Sequence, residues 1–461
     1  MAASVRASAQ NPSAQNASAQ NPPSRNRSAP QPPARNRSAP QPPAVSARTD
    51  DVRRTAARLF EQSGYSATTM SDIAEALGIL PGSLYHHFAS KEEIAVDLLS
   101  SYTGALAELG TAAARRTEPS PAEPEKLLRQ LAADVAALAF RHAAAVRLSA
   151  YEAPSVSTER FTAAIGFRSA ALDRAWRTAV QSLATGGTHP AADLGLLRFT
   201  LQQVTSHAPL YYPADARGDE TSGHLCDILL HGLLAEAPSF DDLDRSAAHQ
   251  AALDAISHWG SRDHPAPGRA GADGATDDIL AAARREFARR GYEATTIRDI
   301  ARAAGVGMAT LYRRVESKES LLRSIIDVYA GCLDEAFGAV MSADGADAER
   351  LYALTRVFGH ASRYFHEESR IVSFGWFGRE AASSPVHDYF VATQQRFDAM
   401  TALLRQGTRA GTVRPVATPR ELTVHFRSVL WLRFHEHART SEARAFAFLR
   451  QSLLQGAVTR P

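Results

Sequence analysis

Cysteine is nearly absent: Cys226 and Cys332 are the two in 461 residues. They are too few and too far apart for a disulfide framework or a metal-ligand spacing, and they fit a reducing cytoplasm. No apolar run approaches the roughly 20 residues that span a bilayer. The N-terminus has charges without an apolar segment behind them, which argues against a secretory signal. Sustained period-two alternation and Asn-Gly hairpin signals are missing, so strands are not expected. Nucleophile-elbow, phosphate-binding and dinucleotide-binding loops are missing too. We therefore assign no catalytic residue and no cofactor. His86 and His87 are neighbours along a helix and diverge, as do His435 and His437, so neither pair reads as a metal site.

What is present is ordinary for a globular chain: 44% hydrophobic and 22% charged residues. The net charge of +2 conceals an uneven distribution. Residues 1–49 hold Arg6, Arg25, Arg27, Arg35, Arg37 and Arg48 and no acid, a balance of +6, so the remainder sums to −4. Residues 1–47 are also repetitive, with SAQNP at Ser8 and Ser18 and RNRSAPQPPA at Arg25 and Arg35. Such composition cannot bury enough surface to offset ordering entropy, so disorder is expected, either as a solvated tail or as a basic arm for DNA. Alanine- and leucine-rich helical spacing then runs from Asp50 to Trp259. A Pro/Gly stretch, Ser261–Ala275, interrupts it, and helical composition resumes at Thr276. An all-α architecture follows.

The most informative feature is a repeat. From Gly64 to Glu92, 15 of 29 residues recur without a gap at Gly291 to Glu319, 227 positions on. A first helix presents Val52, Ala56, Leu59 and Phe60 on one face, and Ile279, Ala283 and Phe287 in the second copy, where Glu286 replaces the leucine. Gly64 and Gly291 stand where a left-handed C-cap is wanted. Thr69 with Asp72, and Thr296 with Asp299, have capping-box spacing. Gly78 and Gly305 supply a short turn into a third helix anchored by Leu84 or Leu311. Ser90 and Ser317 then cap a fourth. Lys91 and Lys318 fall in its first turn, where the helix dipole disfavours a cation. An anionic partner accounts for them, so phosphate contact is expected.

These residues (G-Y-x-A-T-T, D-I-A, a Gly turn, L-Y and S-K-E) closely resemble the N-terminal DNA-binding domain of TetR-type transcriptional regulators, over about residues 50–100 and 277–327. The resemblance implies a repressor-like protein with an all-helical ligand and dimerisation domain behind each head. It also implies that Thr69, Tyr85 and Lys91, with Thr296, Tyr312 and Lys318, hold backbone phosphates. Pro81, Gly82, Ser83 and His86, with Met308, Ala309, Thr310 and Arg313, are implied to face bases. Val315 departs from the pattern where Phe88 stands in the first copy; with Glu286 and Ala304, it leaves open a second head without DNA affinity.

Charge points the other way. Asp50–Glu92 carries −2 and Asp277–Glu319 carries +2. Arg298, Arg302, Arg313 and Arg314 offer the second head cations for phosphates or guanine edges, against His86 and His87 in the first. Two unlike half-sites are therefore expected rather than a palindrome.

The domain reading is a basic tail (1–47), a first head (48–104), a helical domain (105–259), a linker (260–275), a second head (276–329) and a second helical domain (330–461). The aromatics behind the heads are mostly core, with a few free to line an apolar pocket. Arg147, Trp176, His207, Trp376 and Arg379 are the effector-pocket candidates. Late helices at about 223–235, 419–435 and 441–454 are the expected pairing surface, either within one chain or between two. The functional expectation is a cytoplasmic, nucleoid-associated regulator of an operator duplex, released by a small, largely apolar effector. A sequence-indifferent DNA binder and a ligand-binding protein with relic heads are the alternatives.

Overall fold

Glycine and proline punctuate a chain otherwise rich in alanine and leucine, and the helices fall between them. The computed structural model describes residues 44–458 apart from positions 66, 117–122, 152–158, 167, 186–190, 214, 237, 260–273 and 375–385. The repetitive tail up to residue 43 and most of the Pro/Gly linker lie outside the described residues. The first head is α1 (Ala44–Ser63), α2 (Met70–Ala76) and α3 (Pro81–Tyr85). Behind it come α4 (Lys91–Arg116), α5 (Pro124–Arg141), α6 (Ala143–Tyr151), α7 (Glu159–Gly166), α8 (Ala170–Thr185), α9 (Leu194–Ser206), α10 (Ala208–Tyr211) and α11 (Gly218–His231). Two further helices, α12 (Phe240–Arg245) and α13 (Ala247–Ser257), precede the linker. The second head is α14 (Gly274–Arg290), α15 (Ile297–Ala304) and α16 (Met308–Arg314). Its body is α17 (Lys318–Ser342), α18 (Asp347–Tyr364), α19 (His366–Phe374), α20 (His387–Ala410), α21 (Pro419–Leu430) and α22 (Glu442–Leu449), which runs on as a π-helical turn over Arg450–Gln455. No strand occurs among the described residues, and no helix there is long and apolar enough to cross a membrane.

The two heads are not embedded alike. The first closes a core of its own, in which Phe60, Ile73 and Leu84 meet Ile94, Val146 and Phe161. In the second, Phe287, Ile300 and Leu311 belong to the same buried cluster as Leu229, Tyr352 and Leu453. Much of that continuity comes from α13, which packs on α17 and α18 although it lies before the linker. Trp259 follows it into the second body and sits 5.0 Å from Phe365. Burying an aromatic of this size contributes on the order of 3 kcal/mol.

Each first helix is latched to its own body, with opposite polarity. Glu61 on α1 accepts the Ala144 N–H of α6 and lies in the field of Arg147; burial still raises its carboxyl above the ordinary value. On α14 the polarity is reversed: Arg284 pairs with Glu367 of α19 at 2.6 Å and stands 3.6 Å from Glu368. Burial pushes Glu368 up to about 7 despite that arginine.

The halves meet inside one chain, through a reciprocal backbone crossing. Leu233 N–H donates to Leu453 O at 2.8 Å, and Ala457 N–H donates to Leu229 O at 2.9 Å. Leu234 and Val458 repeat the exchange with Leu454 and Leu230, each at 3.0 Å. The two pairs interchange under a shift of 224 residues (453 − 229, and 457 − 233), the mark of a local pseudo-twofold axis. Glycine permits it. Gly232 and Gly456 have φ of +75° and +99°, and a Cβ on either would lie within 2.5 Å of the other strand's backbone. Around the crossing, Arg414 bonds Gly232 O and Asp227, each at 2.6 Å. Tyr212 meets His425 Nδ1 at 2.7 Å in a buried pair. Burial drives that imidazole down to about 3, so it stays neutral.

Gly456→Ala should destabilise the full chain by about 3 kcal/mol, since it combines a forbidden φ with a backbone overlap. Gly82→Ala, with nothing within 4 Å of the added carbon, should change stability by less than about 1 kcal/mol. Urea unfolding compares the two, and equal midpoints would contradict the crossing.

Candidate nucleic-acid interface

The G-Y-x-A-T-T segment builds the same scaffold in both heads, bond for bond. Gly64 and Gly291 end the first helices at φ of +83° and +80°. The first threonine turns inward: Thr68 Oγ1 donates to Gly64 O at 2.8 Å, and Thr295 Oγ1 to Gly291 O at 2.8 Å. The second threonine caps the next helix. Asp72 N–H donates to Thr69 Oγ1 at 3.1 Å while Thr69 N–H donates to Asp72 at 2.8 Å, and Thr296 with Asp299 repeats the box. A box of this kind contributes about 1 kcal/mol. Both carboxylates are held below their ordinary range, Asp72 by the Thr69 backbone N–H and Asp299 by the Thr296 hydroxyl. Thr69 and Thr296 thus stand exposed, as a phosphate contact requires, but their hydroxyls already serve the caps.

Lys91 and Lys318 correct the sequence argument made for them. Lys91 Nζ donates to Tyr65 O and Thr68 O, both at 2.7 Å, and lies 4.3 Å from the centre of the Tyr65 ring. Lys318 Nζ repeats this on Tyr292 O (2.9 Å), Thr295 O (3.2 Å) and the Tyr292 ring (4.1 Å). The fold itself supplies the negative partner, as the carbonyls of the α1–α2 or α14–α15 turn. A cation in a first helical turn therefore needs no external anion here. The aromatic of G-Y-x-A-T-T, which sequence reasoning had not singled out, is half of this staple. The signal was the recurrence of that tyrosine beside the lysine. The capping serine is likewise better equipped than its sequence suggests: Ser317 N–H donates to Ser320 Oγ at 3.1 Å, so a hydroxyl completes a box without an acid.

On this scaffold α3 and α16 present short, outward faces. Tyr85 and Tyr312 are 53% and 63% exposed. Pro81, Gly82, Ser83 and His86 are exposed on α3, and Ala309 and Arg313 on α16, with Arg298 exposed on α15. Met308 and Thr310 are half-buried, Met308 against the core, so the second face is narrower than expected. Arg314 is a further correction. It turns back to Thr276 Oγ1 at 3.3 Å, just as His87 meets Thr49 at 3.1 Å, and so fastens α16 to the start of α14 instead of offering a base contact. Val315 is 6% exposed and keeps the core position of Phe88. Leu280 packs on the core one helix away, where the first head has Arg53 beside Phe88 and paired to Asp97 at 2.6 Å. Leu80, 77% exposed at the N-cap of α3, went unnoticed in the sequence; its counterpart is Gly307.

The effector candidates separate. Arg147 donates to Pro209 O at 3.1 Å. Trp176 is fully buried among leucines and alanines, a core residue and not a pocket wall. His207 lines a cavity of about 490 Å³ between the halves. Trp376 and Arg379 lie outside the described residues.

The family model "Bacterial regulatory proteins, tetR family" matches residues 52–98 and 279–325. The HTH-type transcriptional repressor KstR2 of Mycobacterium tuberculosis (strain ATCC 25618 / H37Rv) is 50% identical over 58 residues, 13% of this chain and 29% of the relative. The uncharacterized HTH-type transcriptional regulator YxaF of Bacillus subtilis (strain 168) is 42% identical over 60 residues, 13% of this chain and 31% of the relative. The chain thus spans under a third of these curated relatives. Among solved structures, the ketosteroid transcriptional regulator KstR2 of Mycobacterium tuberculosis is 22% identical at a TM-score of 0.37, covering 41% of this chain and 98% of that one. AibR, solved with isovaleryl coenzyme A and operator DNA, is 20% identical at a TM-score of 0.34, covering 40% and 99%. The family motif is thus matched twice on one scaffold, and each of the two heads is of the kind that this family model describes.

Proposed function

We propose that this chain is a sequence-specific DNA-binding transcriptional regulator, a repressor released by a small effector, that reads one operator through two unlike heads held by a single polypeptide. The observation that carries the reading is the contrast within the repeat. The buried scaffold bonds recur at 227 residues' spacing, while the exposed faces of α3 and α16 differ. A scaffold kept and a surface varied is what two different base sequences demand.

On the first face, Pro81, Gly82, Ser83 and His86 read bases and Tyr85 holds a phosphate; Leu80 is placed for a thymine methyl. On the second, Ala309, Thr310 and Arg313 read bases, Arg313 being suited to guanine, while Tyr312 and Arg298 hold phosphates. Lys91 and Lys318 keep the turn that carries Thr69 and Thr296, so their effect on DNA is largely indirect. Thr69 and Thr296 bring helix N-termini to the phosphates.

Selection of genomic fragments by the purified protein, followed by footprinting, tests the reading. Two adjacent protected half-sites of different sequence are expected, with affinity falling steeply as salt rises. Equal affinity for random duplex at matched salt would refute it.

Arg313→Ala should cost about 1–3 kcal/mol on one half-site and His86→Ala a smaller amount on the other, each read by titrating duplexes with one half-site scrambled. Loss of the same half-site in both variants would contradict the assignment.

Lys91→Met should lower head stability by about 2 kcal/mol, because two carbonyls lose a charged donor. A melting curve unchanged from wild type, alongside weakened duplex binding, would instead place the ammonium on phosphate.

A further inference from the structure

The cavity of about 490 Å³ between the halves is built from both of them. The first half contributes Gln203 and Phe199 from α9, His207, Tyr211 from α10 and the end of α6. The second contributes Arg370 and its neighbours on α19, Tyr389 and Phe390 from α20, Arg427 from α21, and Trp431. Under the 224-residue shift that interchanges the crossing strands, Gln203 corresponds to Arg427 and His207 to Trp431. Equivalent positions from both halves face one space, so the cavity straddles the local pseudo-twofold axis and exists once per chain.

Its charged walls are mostly basic. Arg168, Arg370, Arg427 and Arg433 line it, and among the described residues the single acidic lining residue is Glu436, 3.5 Å from Arg433. Four guanidiniums against one carboxylate leave an excess of positive charge around a partly enclosed, aromatic space. A lining of that sign favours an anion over a neutral or cationic guest. His207 and His437 add no charge: burial lowers both imidazoles below their ordinary value. His437 instead stacks on Phe199 with ring centres 4.2 Å apart, which leaves a flat apolar wall. A ligand matched to these walls has an anionic group for the arginines and an aromatic or similarly flat apolar body. This ligand class differs from a largely apolar effector in its anionic group.

The cavity also touches the helices that carry the latches. Ser149 and Ala150 reach it from α6, which meets Glu61 of the first head, while Ser369 and Ser373 reach it from α19, which holds Arg284 of the second.

We propose that this seam cavity is a single binding site for a small organic anion with an aromatic body, and that its occupant acts on both heads at once through α6 and α19. The action on DNA rests on the regulator reading above; the binding does not.

Anilinonaphthalene sulfonate, anionic and aromatic, and uncharged N-phenylnaphthylamine are suitable probes with the full chain. One equivalent of the anion should bind, with energy transfer from Trp431 that Trp431→Phe weakens. Arg370→Gln and Arg427→Gln should each weaken the anion about tenfold and shift the neutral probe less than twofold, with thermal melts matching wild type. Two equivalents per chain, or affinity for the anion unchanged in both arginine variants, would overturn the site. Operator release by the bound anion, followed in the same titration, tests the coupling. Binding without release would overturn that step and leave the site, whereas failure of any duplex to bind would sink the regulator reading alone.

Discussion

Two glycines in left-handed conformation hold the arrangement together. Where Gly232 and Gly456 cross, backbone lies against backbone without room for a Cβ, and four reciprocal hydrogen bonds close the contact. A helical bundle buries apolar faces that tolerate sliding by a fraction of a turn. Paired main-chain bonds do not, because a one-residue slip would orphan every donor in the set. The crossing therefore fixes the register of one body on the other, and the position of the seam cavity follows from that register.

Much of the heads was legible in the sequence because their determinants are local. Thr69 and Asp72 sit three residues apart, Gly78 and Gly305 turn within a few residues, and the scaffold bonds of one head reappear in the other. Reasoning failed where a partner lies far along the chain. The helix-dipole argument for Lys91 was sound as far as it went, but the carbonyls of Tyr65 and Thr68 are more than 20 residues away, and only folding brings them to the ammonium. Arg314 was counted with its neighbour Arg313 because both are basic; their position around a short helix separates them, one outward and one back to Thr276.

Behind the heads the sequence was less informative, for a physical reason. Leu-Leu-x-Gly at 229–232 and at 453–456 is too short to stand out among leucines, yet it is the motif that joins the halves. Trp176 and His207 were weighed equally as pocket residues, since an aromatic or imidazole on an apolar face reads alike in core and cavity. Packing separates them. The role of α13 was also hidden, because a helix before a Pro/Gly stretch gives no sign that it covers α17 and α18.

The opposed latches bear on how such a chain finds its own fold. Two nearly interchangeable heads are synthesised on one polypeptide with two bodies to dock on, and exchange would be a natural error during assembly. Docked on the wrong body, Glu61 would lose the Ala144 N–H and the field of Arg147, and Arg284 would lose Glu367 and Glu368. A partly buried charge stripped of its partners costs free energy that the proper docking avoids. The difference between the two latches thus gives each head a partner set on its own body that the other body does not repeat.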